Sequence, residues 1–183
     1  MKRFAFTLLE LVFVIIVIGI LAITAMPNFA SHALTDASEQ VARHIRYAQH
    51  LSMMDDVYNP ADANWYKKRW MINICQPAYT ITRIDGSATA TDPLTRKVMD
   101  GTGDLSLAGK YNVNSVVVAD GKCKIAFDNL GRPYSFISAY TPTSPMDGLM
   151  DTNSSIALNH TDGNTTIVIR PQTGYVSVTY PTL

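Results

Sequence analysis

Glu10 is the residue that most needs a chemical explanation. It is the only charge between positions 6 and 26, in the run FTLLELVFVIIVIGILAITAM. A carboxylate among apolar side chains is costly unless a cation pairs with it. Its expected task is to pair with a cation of a neighbouring molecule and so set the register between the two. The alternative is a charge near an interface that snorkels to water. Cys75 and Cys123 offer a second chemistry. An even pair in an exported domain points to one disulfide, and the alternative is two buried thiols.

The other reactive residues form no active site. His44 and His50 are six apart, on different helix faces, and His32 and His160 stand alone. Asp100 and Asp104 lie among glycines that could hold calcium, but the spacing matches no EF-hand loop. Neither a phosphate-binding glycine loop nor a nucleophile elbow is present. The expectation is a protein that is not an enzyme, with no catalytic residue, no cofactor and no metal. Lys67, Lys68 and Arg69 are interleaved with Trp65, Tyr66 and Trp70, a pattern that can hold single-stranded nucleic acid. Three charges are few, and no Lys or Arg follows Arg170. Asn153, Asn159 and Asn164 begin glycosylation-type triplets, and the first and last have an aspartate two residues before them.

The elements that position these groups follow from the patterning. The chain has 183 residues and no net formal charge, with 15 basic and 15 acidic side chains. That suits one domain plus an appendage, and it gives no general affinity for nucleic acid. Residues 6–26 would make a helix of roughly 31 Å, about one hydrocarbon core. Lys2 and Arg3 would hold its start in the cytoplasm, with the rest of the chain outside. A secretory signal peptide cut near Ala25 is the competing expectation. Gly19 and Pro27 weaken or kink the helix. Beyond Pro27, Leu34, Ala37, Val41, Ile45, Ala48 and Leu51 recur at helical spacing. One helix is therefore expected from 6 to about 54, its second half laying an apolar stripe on a globular domain.

From Trp65 on, short alternating runs and glycine turns predict about eight strands, hence an α+β fold. The runs at 116–118 and 123–127 flank Asp120-Gly121 and predict a hairpin. Residues 87–112, rich in Ser, Thr, Asp and Gly, predict a long exposed loop with room for one short element.

The run Phe6-Thr7-Leu8-Leu9-Glu10, with Gly19 and then Pro27, resembles the leader of type IV pilins and type II secretion pseudopilins. The resemblance implies a leader at 1–5, removed by a prepilin peptidase between Ala5 and Phe6. Phe6 would be N-methylated, and its new amine would pair with Glu10 of a neighbouring subunit during assembly. The family has glycine before the cut, where this chain has Ala5. The stretch Ala42-Arg43-His44-Ile45-Arg46-Tyr47-Ala48-Gln49 resembles the H-type minor pseudopilins, the GspH/FimT family. So do Phe127-Asp128-Asn129-Leu130-Gly131-Arg132-Pro133 and Ile169-Arg170-Pro171-Gln172-Thr173-Gly174-Tyr175-Val176. This likeness implies two packed, mainly antiparallel sheets and a low-copy subunit that starts or caps a filament.

The expected organisation is a leader at 1–5, a transmembrane or filament-core helix at 6–26, its amphipathic continuation at 27–55 and a periplasmic β-rich domain at 56–183. The resemblance implies a single-pass protein of the bacterial inner membrane, later taken into a filament. Its partners would be other pilin or pseudopilin subunits, prepilin peptidase, the inner-membrane assembly platform and the membrane itself, with DNA the weaker prospect. The alternative is a tip subunit that contacts DNA or secretion cargo through 67–69 or the segment at 85–112.

Overall fold

The structure, a computed structural model, describes residues 8–25 and 27–180. Helix α1 runs Leu8–Ala25 and α2 runs Pro27–Met54. The helix expected from 6 to about 54 is thus described as these two segments, and residue 26 between them lies outside the described residues. Pro27 is the first described residue of α2.

The expected membrane span is corrected. Among the described residues no helix is long and apolar enough to cross a membrane. Helix α1 has 18 residues, a rise of roughly 27 Å, and Glu10 leaves an uncharged stretch of only about 22 Å after it. A hydrocarbon core is about 30 Å thick. The transmembrane helix, the membrane-spanning first half of the fold and the single-pass inner-membrane topology with a periplasmic domain fall with it.

Eight strands follow: β1 Trp70–Gln76, β2 Ala78–Arg83, β3 Ser115–Val118, β4 Lys124–Phe127, β5 Pro133–Phe136, β6 Ser154–His160, β7 Gly163–Ile169 and β8 Val176–Thr179. A short helix, α3, occupies Leu107–Tyr111. The strands form two four-stranded sheets, ordered β2-β1-β4-β5 and β3-β6-β7-β8, with every pairing antiparallel. With helices at one end of the chain and sheet beyond, the fold is α+β.

Helix α2 fastens the two sheets together, packing on β1 and β4 of one and on β7 and β8 of the other. Leu34, Ala37, Val41, Ile45 and Ala48 are all buried, in one core with Ile72 and Ile125 of the first sheet and Ile156 and Ile167 of the second. Each of these helix positions lies three or four residues from the next, which keeps them on one helix face.

Two expectations for the sheets are corrected. The strands either side of Asp120-Gly121 are not a hairpin: β3 pairs with β6, while β4 pairs with β1 and β5. The turn carries the chain from one sheet to the other. The segment 87–112 is not an exposed loop. Ala90, Met99, Leu105 and Leu107 are buried in the core. Its backbone also pairs with the outer edge of β2, through Ala90 N–H to Ile81 O at 2.8 Å and Ile81 N–H to Met99 O at 3.0 Å. On the opposite edge, Ser135 N–H bonds Gly148 O at 2.8 Å. Both edges of the first sheet are covered, which blocks further strand pairing there.

Candidate functional site

Helix α1 is the most unusual surface of the molecule. Every residue from Leu8 to Ala22 is exposed. Leu8 is 82 % accessible, Phe13 67 % and Leu21 62 %. The helix is apolar on all sides, so no orientation of it shields its surface from water. Such a helix is normally covered by other molecules. Glu10 lies in its first turn. Gly19 sits inside it, with no other atom near the place of a β-carbon. Ala5 and Phe6, the expected processing positions, lie outside the described residues.

Cys75 and Cys123 are disulfide-bonded, with Cα atoms 4.9 Å apart. The bond joins the end of β1 to the residue before β4, beside the hydrogen bond from Ile74 N–H to Cys123 O. It is far along the chain from α1 and fastens the first sheet.

The basic run at 67–69 is largely engaged within the domain. Lys68 Nζ is 2.7 Å from Asp62 Oδ2. Arg69 is buried, with its guanidinium over the rings of Trp65 at 5.2 Å and Tyr134 at 4.4 Å, both cation–π contacts. It also donates to Pro145 O at 2.9 Å, which ties the segment after β5 back to the first sheet. Lys67 leans on Tyr66.

The other singled-out residues are dispersed. Asp104 pairs with Lys97 and Lys110, while Asp100 accepts from Thr102. No group of three His, Cys, Asp or Glu side chains converges among the described residues. His50 is exposed, and His160 Nδ1 accepts from Asp162 N–H within its own turn. Asn153 and Asn164 are exposed, whereas Asn159 donates to Ser115 Oγ at 2.9 Å.

A cleft that sequence reasoning missed lies between α2 and the segment 91–111. Its volume is about 350 Å³. On the helix side it is lined by Gln40, Arg43, His44 and Tyr47. These are spaced three, one and three apart, so they form a second stripe on α2 beside the core stripe. That spacing was the available signal. Its opposite wall could not be foreseen, because 87–112 has the composition of an exposed loop. Burial holds His44 below the usual imidazole range, with Arg43 and Lys110 adding to the effect and Asp92 opposing it.

No protein-family model, no curated protein and no solved structure matches the chain.

Proposed function

We propose that this protein is a minor subunit of a pilin-like filament, either a type II secretion pseudopilus or a type IV pilus, where it helps to start or cap the assembly. One observation carries the proposal: an 18-residue helix, apolar on every side, stands exposed ahead of a packed domain. Apolar area on that scale is stabilised only when covered, at about 25 cal/mol per Å². Copies of the same kind of helix, side by side in a filament core, would cover it.

Glu10 gives the association a register. The amine of Phe6, freed by prepilin peptidase after Ala5, is the complementary cation on a neighbouring subunit. A charge pair excluded from water is worth most when both partners are present, and one charge left alone there is strongly unfavourable. The partners are therefore other pilin or pseudopilin subunits, with prepilin peptidase and an assembly platform acting before them.

The test combines two measurements in the native host. Mass spectrometry of the mature chain should find an N-methylated Phe6 at the amino terminus. A photo-crosslinking residue placed at Phe13 should join the chain to other filament subunits. A mature chain beginning at Met1 or after Ala25, or a Phe13 probe that captures no pilin-like subunit, sinks the proposal.

A further inference from the structure

The cleft beside α2 plays no part in the filament proposal, and its chemistry is independent of that reading. Its volume of about 350 Å³ falls within the range of small-ligand sites, roughly 300–1,000 Å³. Across from the α2 stripe, Leu94 and Val98 present apolar side chains, 89 % and 55 % exposed. Tyr111, on α3, closes the third side. Three walls thus offer apolar and aromatic surface.

Hydrogen bonds fix the floor. Gln40 Nε2 donates to Tyr79 Oη at 2.8 Å and to Asp104 O at 2.6 Å. Tyr111 Oη and Lys110 Nζ both donate to Gln40 Oε1, at 2.7 and 3.1 Å. The orientation of the Gln40 amide is thereby set. Tyr79 Oη accepts from Gln40, so its single proton is left for His44 Nδ1, 2.6 Å away. In neutral His44 the remaining proton then sits on Nε2, making this nitrogen a donor.

The charges around the cleft do not balance. Asp104 is shared by Lys97 at 3.5 Å and Lys110 at 3.4 Å. Asp92 is occupied by the N–H of Leu94 at 2.9 Å and the hydroxyl of Thr95 at 2.7 Å. Arg43, exposed on α2, makes no hydrogen bond or ion pair among the described residues. Three cations therefore face two carboxylates, and both carboxylates already have partners.

We propose that this cleft binds a small carboxylate bearing an aromatic or branched apolar group, either as a free acid or as the C-terminal residue of a peptide. Arg43 receives the carboxylate through its planar fork of donors. Leu94, Val98 and Tyr47 cover the apolar part.

The probes are 3-phenylpropionate and N-acetyl-Ala-Phe, each beside its neutral C-terminal amide, titrated into the isotope-labelled full chain and followed by amide NMR. Either acid, or both, should give saturable shifts centred on His44, Leu94, Val98 and Tyr111. The matching amide should bind about tenfold more weakly, the loss expected for one charge-assisted hydrogen bond. Arg43→Gln should remove the difference between acid and amide. Leu94→Asp, at a position too exposed to affect folding, should weaken both. Binding by the dipeptide alone identifies the source as a peptide terminus, and binding by phenylpropionate alone identifies a free acid. No saturation by roughly 10 mM, equal binding of acid and amide, or shifts centred elsewhere overturns the proposal.

Discussion

The side-chain nitrogen of Gln49 lies 2.5 Å from where a β-carbon on Gly174 would stand. The same nitrogen donates to Gly131 O at 2.9 Å and to Thr173 O at 3.0 Å. One helical glutamine therefore ties together two glycine turns, one from each sheet, at the carboxyl-terminal end of α2. The stretches 42–49, 127–133 and 169–176 meet at this point.

Gly174 has φ +65°, and an added β-carbon would also meet Gly131 O at 2.6 Å. Gly174→Ala should cost more than about 2 kcal/mol, from left-handed backbone strain plus the clash. The melting temperature should fall by at least roughly 5 °C. An unchanged melting curve would show that the turns can move apart freely. Gln49→Ala, which removes two hydrogen bonds without a clash, should cost about 1–3 kcal/mol.

The disulfide joins cysteines 48 positions apart in sequence. Chain-entropy reasoning gives the closed loop a stabilisation of roughly 4 kcal/mol. Replacing both Cys75 and Cys123 by serine should lower the denaturant midpoint by an amount consistent with that figure. The slope of the transition should change too, because the unfolded chain becomes less compact. A double variant as stable as the parent would show that the hydrogen bonds between β1 and β4 suffice.

His44 makes stability depend on pH. Burial lowers its folded pKa below the ordinary 6.5, so the unfolded chain binds its proton more readily. The contribution is fully present above pH 6.5 and is lost as pH falls below that value toward the folded pKa. Melting temperature should therefore decline from about pH 6.5 downward, before the carboxylates begin to titrate near pH 4. His44→Gln should flatten this decline. Parallel slopes for parent and variant would assign the effect to another group.

Glu10 tests the filament proposal by substitution. Glu10→Leu keeps α1 apolar and helical but removes the charge. Incorporation of the chain into filaments should fall on the order of tenfold, since the amine of a neighbour would then be unpaired. Glu10→Gln should fall nearly as far, because it can still hydrogen-bond but carries no charge. Wild-type incorporation by both variants would mean that apolar contact alone sets the assembly.

The α2 stripe was legible in the sequence because helical periodicity is local and the core needs only one face. The strands were legible to within about three residues for the same reason, the largest miss being the start of β7 at Gly163. Their partners were not. Asp120-Gly121 has the chemistry of a tight turn, with Gly121 at φ +70°, but turn chemistry does not state which sheet the next strand joins. Met99, Leu105 and Leu107 show no period, so nothing local marked them as core. The α2 half of the cleft was present in the spacing of Gln40, Arg43, His44 and Tyr47. The other half comes from residues that meet it only in the folded chain. The reach of α1 was harder to read, because Glu10 adds to the length of the helix but not to the length of its uncharged part.

The passage at Asp120-Gly121 has a consequence for how the molecule comes into being. The chain lays down β1 and β2, leaves β3 in the second sheet, returns for β4 and β5, and only then supplies β6. During synthesis β3 must wait without its neighbour until Ser154 and the residues after it have emerged. Neither half of the domain can be completed without part of the other having been set aside first. The two sheets are therefore interlaced along the chain, and no single cut yields a fragment holding one complete sheet alone. An unpaired β3 is also the place where an incomplete chain is most exposed to pairing with the wrong partner.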